Sequence, residues 1–325
     1  MIKYGLGPLV FCILALSIYH QVQRQPDWEN SFQKIGQGLS GDGAWSLIAV
    51  FLLMFVNWGI EARKWQLALK NLQTISFFRS FKAVFTGTTM AFFTPNRIGE
   101  YFGRILFIKE GSRLQAISLT IVCSIAQLMV TIIGGVAGFI FFKRHLAAQG
   151  LADASTLFWL QIVYYISLLG ALILTLLYFR LSWLVKLARK ITPLAGYLRY
   201  VNVLESFHAT QLIRILSLSF VRYIIFLLQY FILFRVFDVD LNWMQNFWVV
   251  SVMFVVLSIA PTIAFITDLG IRAKASIELV QFFSSNVVGI LATSLSIWII
   301  NLVIPALIGS LMILGFKFRD NFRFF

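Results

Sequence analysis

Six apolar runs, at 5–19, 44–60, 115–142, 157–179, 214–236 and 285–315, set what this chain can fold into. A helix crosses bilayer hydrocarbon in about 20 residues, whereas a membrane strand needs only about 10. Runs of this length predict an all-α fold, a polytopic helical integral membrane protein with about six full spans. Charge supports the same reading. Only 12% of the residues are charged, against about 25% in a soluble domain. So little polar material cannot cover a surface facing water, which excludes an ordinary soluble enzyme and a disordered chain. The run 5–19 follows Lys3 and lacks a small-residue cleavage site, so it reads as a retained signal anchor.

The net charge of +14 comes from 27 Lys and Arg against 13 Asp and Glu. In a soluble protein it would point to nucleic acid; here it first describes loops. With the N-terminus inside, the segments on the cytoplasmic side hold 19 of the basic residues and the outer segments 5. Both termini are then expected in the cytoplasm. Basic residues alternate with Trp and Leu at 63–72 and again at 183–191, predicting amphipathic helices lying on the anionic inner leaflet.

That orientation has a topological consequence. Segments 61–82 and 96–114 both count as inner, yet the apolar run 81–95 separates them. A re-entrant hairpin, entering and returning from the same side, satisfies both, with its broken backbone shielded by protein. A second short run, 245–266, is broken at Pro261 and opens from the other side. One inner and one outer broken element predict an inverted-topology repeat within a single membrane domain, 1–325, with halves of about 1–156 and 157–325.

The breaks carry the polar chemistry. Around the first, Pro95 removes a backbone donor and Gly99 permits close approach, and a helix restarting there would offer amides and Arg97 to an anion. Arg97, Glu100 and Arg104 fall at i, i+3 and i+7, which puts plus, minus and plus on one helix face. Around the second, Pro261, Gly270, Asp268 and Arg272 repeat the recipe at a different spacing. Arg222 lies eight residues beyond Arg214, about 12 Å along a helix, with Glu100 or Asp268 as its expected acid partner. Asn57, Gln127, Gln229 and Asn301 read as interhelical hydrogen bonds.

Other chemistries leave no trace. Cys12 and Cys123 lie inside apolar runs and form neither a disulfide framework nor a zinc site, and His20, His145 and His208 are scattered. Phosphate-binding loops, HExxH, CxxC and GxSxG are absent from the sequence. No metal and no cofactor is expected.

At these motifs the chain resembles the membrane domains of lysylphosphatidylglycerol synthase/flippases, the flippase-like family. Three blocks carry the likeness: Asn57-Trp58 with Glu61-Ala62-Arg63-Lys64-Trp65; Phe81 through Thr94-Pro95-Asn96-Arg97-Ile98-Gly99-Glu100, Arg104 and Ser124-Ile125-Ala126-Gln127; and Pro261 with Asp268-Leu269-Gly270-Ile271-Arg272. The third block departs from the family, whose second motif is richer in glycine. The resemblance implies re-entrant elements that move phospholipids or lipid-linked anions between leaflets of a bacterial inner membrane. In full-length members a cytosolic domain performs aminoacyl transfer; no polar stretch here is long enough for one, so the resemblance implies translocation.

The leading expectation is therefore a lipid flippase or carrier acting on anionic phospholipid or a lipid-linked precursor, with no nucleic-acid partner and oligomerisation left open. Arg97, Arg104, Arg222 and Arg272 are the candidate phosphate ligands, Glu100 and Asp268 the charge-balancing or proton-coupling acids, and Pro95, Gly99, Pro261 and Gly270 the helix breaks. Two other classes are an intramembrane transferase or hydrolase using Glu100 or Asp268 as base, and a non-catalytic scaffold that recruits partners through Arg189 and Lys190.

Overall fold

The computed structural model describes residues 16, 19–20, 42–150, 153–189, 198–260 and 265–321. Most of the first apolar run, and with it the expected signal anchor, lies outside them, as do Pro261 and Lys190. Among the described residues the regular structure is entirely helical.

The long helices follow the apolar runs. They are α1 (Asp42–Leu69), α4 (Arg113–Gln149), α5 (Ala154–Phe179) and α7 (Ala209–Val236), with shorter α2 (Phe77–Phe92), α3 (Gly99–Ile105) and α6 (Leu181–Arg189) between them. The chain continues through α8 (Trp243–Ile259), α9 (Phe265–Val280), α10 (Val287–Trp298) and α11 (Ile304–Asn321). A π-helical turn, Ile299–Val303, joins the last two. Pro305 follows it, lacking an N–H and crowding the carbonyl four residues back, which is a common setting for a widened turn. Among the described residues five helices are long and apolar enough to cross a membrane: Gly43–Leu69, Glu110–Gln149, Ala154–Phe179, Ala209–Val236 and Val287–Ile313. Their exposed side chains, such as Leu172, Leu176, Leu307 and Leu311, are what a lipid-facing surface requires.

Contacts divide the chain into two compact units. The first comprises Met1–Phe55, Thr131–Leu169 and Ile224–Leu302. Here α8 starts on a capping box, in which the Asn242 side chain accepts from the Gln245 amide and Gln245 reaches back to the Asn242 amide. Helix α8 packs on α9, and α9 on α10. Gly135 and Gly138 lie against α8, where a Cβ on Gly135 would stand 2.0 Å from Val255. Gln229 Nε2 donates to the Val50 carbonyl (2.9 Å) and Asn246 Nδ2 to that of Leu227 (3.1 Å), giving the interhelical bonds expected of isolated polar residues. Asn301 Nδ2 instead bonds within its own helix, to the Ile297 carbonyl (3.4 Å).

The second unit comprises Val56–Val130, Gly170–Tyr223 and Val303–Phe325. Its centre is a hairpin of α2 and α3, with α11 packed on α2. Ser76 caps α2 by accepting from the Arg79 amide. Gly309 of α11 lies so close to the Phe85 carbonyl that a Cβ there would stand at 2.2 Å, and Thr89 Oγ1 donates to the Ala306 carbonyl at 2.7 Å. The segment 63–72 departs from its expected place as a surface helix. Helix α1 continues to Leu69, and both Lys64 and Trp65 are buried. The physical reason is an acid one turn earlier, Glu61, which pairs with Lys64 inside the protein. The segment 183–191 begins as expected: Trp183 is exposed on α6, and Arg189 pairs with Glu205 at 2.7 Å.

Candidate functional site

The hairpin break is built from local chemistry. Helix α2 ends at Phe92, Thr94 is extended, and Pro95–Arg97 form a short 3-10 turn. Asn96 and Arg97 both have positive φ, 50° and 58°, in the left-handed region that ordinary side chains visit at a cost. Thr94 Oγ1 closes the corner: it donates to the Met90 carbonyl (3.0 Å) and accepts from the Gly99 amide (2.7 Å). A Cβ on Gly99 would stand 2.2 Å from the Met90 carbonyl oxygen, so only glycine lets α3 start here. One turn on, a Cβ on Gly103 would lie 2.5 Å from the Cα of Gly87, so the hairpin arms meet backbone to backbone.

This geometry corrects two expectations about Arg97. Its backbone belongs to the left-handed corner, so it does not continue the helical face of Glu100 and Arg104. The Gly99 amide is taken by Thr94 and α3 has only seven residues, so the restarted helix presents no anion site of its own. Arg97 is half-exposed and reaches Glu100 at 3.8 Å.

Arg104, by contrast, is carried into the protein. Its Nη2 donates to Glu61 Oε1 (2.9 Å) and also pairs with Glu100. Glu61 is the centre of the cluster. Its Oε2 receives Lys64 Nζ at 2.7 Å and also pairs with Arg222. Arg222 Nε donates to Asn57 Oδ1 (2.8 Å), and its Nη1 to Gln127 Oε1 (3.3 Å). Lys64 Nζ reaches Ser219 Oγ (3.3 Å), while Gln127 Nε2 donates to the Ser219 carbonyl (3.3 Å). The guanidinium of Arg222 lies over the Trp58 ring and that of Arg104 over the Trp65 ring, 5.5 and 5.9 Å from the centroids. Helical spacing explains the convergence, since Asn57, Glu61, Lys64 and Trp65 share one face of α1, and Ser219 and Arg222 one face of α7.

Two features give the cluster chemical meaning. It holds four cations, Arg97, Lys64, Arg104 and Arg222, against two carboxylates. Arg104 is also buried with two donors, Nε and Nη1, that meet no acceptor among the described residues. Buried charge is ordinarily paired and buried donors satisfied, so the cluster has positive charge and donors left over. Glu100, whose side chain is 19% exposed, and Arg97 lie at its exposed edge.

The expected partner of Arg222 is also corrected. The acid Arg222 pairs with is Glu61, with the Glu100 carboxylate within range of its charge. Asp268 instead pairs with Arg272 at 3.4 Å, one turn apart on α9 in the other unit, where Arg272 also donates to the Tyr230 hydroxyl (3.4 Å). Arg272 Nε is buried without an acceptor among the described residues. Gly270 is not a helix break, because α9 runs unbroken from Phe265 to Val280 around it. A single glycine inside a helix costs only about 1 kcal/mol, which neighbouring contacts readily offset. Glu61 stands in the first block of the family resemblance and lies four residues after Asn57 and three before Lys64, on one helix face with both.

Fold and site together define a polytopic helical membrane protein with a buried cationic cluster at a broken hairpin. The chain belongs to the family described as the lysylphosphatidylglycerol synthase TM region, whose model matches residues 29–309. This family relates it to the handling of membrane lipids. No curated protein and no solved structure matches the chain.

Proposed function

We propose that the protein is a flippase or carrier that moves a phospholipid or lipid-linked anion between the leaflets of a bacterial inner membrane, with both termini cytoplasmic. The observation that carries this reading is the excess of cations around Glu61, with two donors of Arg104 left over. An anionic headgroup supplies the missing charge and acceptors, while acyl chains stay in hydrocarbon. Arg104 is the principal phosphate ligand. Arg97 stands at the exposed edge, and Arg222 holds the geometry through Glu61. The pair of Asp268 and Arg272 on α9 is the counterpart site in an inverted repeat.

For a transferase or hydrolase the candidate bases, Glu100 and Asp268, each pair with an arginine on their own helix, while the cation excess around Arg104 suits a bound anion. Transport is therefore the better reading. The test reconstitutes purified protein in vesicles containing fluorescent phosphatidylglycerol and follows dithionite quenching of the outer-leaflet label. Flipping should exceed that of empty vesicles and fall to their level in Arg104→Ala. Equal rates with and without protein refute the proposal.

A further inference from the structure

Charge and hydrogen bonding around Glu61 describe the same ligand from two sides. The cluster sets Lys64, Arg97, Arg104 and Arg222 against Glu61 and Glu100, an excess of two positive charges. Lys64, Arg104 and Arg222 are buried, while Arg97 is half-exposed at the edge. A phosphodiester brings one negative charge and leaves one cation over. A phosphate monoester, ionised twice above a second pKa of about 6, brings two and closes the balance.

Hydrogen bonding points the same way. Five buried side-chain atoms on three helices have no partner among the described residues: Asn57 Nδ2 and Trp58 Nε1 on α1, Thr86 Oγ1 on α2, and Arg104 Nε and Nη1 on α3. Each of them can donate. The Asn57 amide is fixed in that sense, because its Oδ1 accepts from Arg222 Nε at 2.8 Å. These residues belong to the cluster or border it. The Arg222 guanidinium lies over the Trp58 ring, and a Cβ on Gly103, next to Arg104, would stand 2.7 Å from the Thr86 carbonyl oxygen. Apart from the Thr86 hydroxyl, no buried side-chain acceptor of this unit is left over among the described residues. A ligand rich in acceptors and poor in donors suits such a set. A doubly ionised monoester offers three terminal oxygens and no hydrogen of its own. A diester offers two, and glycerol or ethanolamine headgroups add donors for which no buried acceptor waits.

Arg104 is where charge and donors meet. Its Nη2 is taken by Glu61 and Glu100, which leaves Nε and Nη1 for ligand oxygens without displacing either acid. We infer that the headgroup bound at Arg104 is a phosphate monoester held as a dianion, with Arg97 supplying the second counter-charge at the exposed edge. The inference rests on the cluster being the anion site of a lipid carrier, and it names the headgroup class, a lipid that ends in a bare phosphate. A phosphodiester meets the same donors but leaves one charge uncompensated.

The test titrates the detergent-solubilised full chain by calorimetry with dihexanoyl phosphatidic acid and with dihexanoyl phosphatidylmethanol. At about pH 8, above the monoester's second ionisation, these lipids differ by one methyl group and one charge. Wild type should bind phosphatidic acid about tenfold tighter or more. Arg97→Asn, which keeps a residue tolerant of the left-handed backbone, should lose most of that preference. Equal affinity of wild type for the two lipids overturns the monoester and leaves the anion site standing. If neither lipid binds wild type, the anion site itself fails. A preference unchanged in Arg97→Asn overturns the role given to Arg97. Methyl phosphate, a water-soluble monoester, tests the source. Binding much weaker than that of phosphatidic acid supports a lipid, whereas equal binding overturns the lipid and assigns the site to a free phosphate ester. The wild-type ratio decides the headgroup class even if the variant does not fold.

Discussion

Arg104 reaches across 43 residues to place Nη2 at 2.9 Å from Glu61 Oε1, joining the short arm of a broken hairpin to the C-terminal part of a long helix. Both Arg104 and Arg222 contact the Glu61 carboxylate. Removing it leaves Lys64, Arg104 and Arg222 facing one another without a shared counter-charge. Loss of one partner from a buried ion pair costs about 3–5 kcal/mol. Glu61→Gln should therefore lower thermal stability far more than Glu100→Gln, whose side chain is partly exposed. Equal melting temperatures for the two variants, measured by intrinsic fluorescence in one detergent, would show that Glu61 is not the centre of the cluster.

A second expectation concerns the contact between glycines. A Cβ at Gly103 would meet the Gly87 backbone at 2.5 Å, and backbone cannot rotate out of the way. Overpacking of this kind costs about 1–3 kcal/mol or more. Gly103→Ala should destabilise the protein and push Arg104, its neighbour, off Glu61, so flipping should fall as well. Gly111→Ala is the control, because nothing lies within 4 Å of its added carbon. Equal thermal stability of the two variants would contradict the described packing of α2 on α3.

The start of α5 supplies a pH dependence outside the membrane-spanning segments. The Asp153 carboxylate accepts from the Thr156 amide at 3.1 Å, and hydrogen bonds from Thr156 hold it below the ordinary carboxylate range. A lowered value in the folded protein means that the cap contributes above the unfolded Asp value of about 3.9 and is lost as pH falls through the folded one. Amide exchange at Thr156 should therefore lose protection, relative to the intrinsic rate, on acidification through that window. In Asp153→Asn the protection should not vary with pH there.

Isolated polar residues between helices should matter less than the ion cluster. Gln229 Nε2 donates to the Val50 carbonyl, but its Oε1 has no partner among the described residues. Interhelical hydrogen bonds in membranes average about 0.6 kcal/mol. Gln229→Met keeps the shape and should change the unfolding free energy by no more than about 1 kcal/mol. A loss as large as that of Glu61→Gln in the same denaturation assay would contradict this ranking.

Much of this was legible before any coordinates. Apolar length alone locates α1, α4, α5 and α7, because bilayer thickness leaves few other solutions. Thr94-Pro95 and Gly99 marked the hairpin, since a missing donor and a missing Cβ are properties of single residues. What escaped was relational. Segment 61–82 counts as cytoplasmic by its charges, yet those of Lys64 and Glu61 turn inward to each other. Nothing local in the sequence says that Gly87 and Gly103 touch, or that Arg222 meets an acid 161 residues away. Gly270 misled for the opposite reason: a local signal was read as a break where the helix tolerates it.

The order in which these residues leave the ribosome gives the cluster a history. Glu61, Lys64 and Arg104 belong to the first third of the chain, whereas Arg222 comes 161 residues after Glu61. At ordinary rates of synthesis that delay is on the order of ten seconds or more. During it Glu61 has only Lys64 and Arg104 to satisfy, and the nascent cluster holds one cation fewer than the mature one. The last cation must therefore be inserted against charges already in place, at a seat that Asn57 and Gln127 line with acceptors. Arg222 completes the site, and a chain truncated before it would hold three cations against the two carboxylates, half the excess that the finished protein carries.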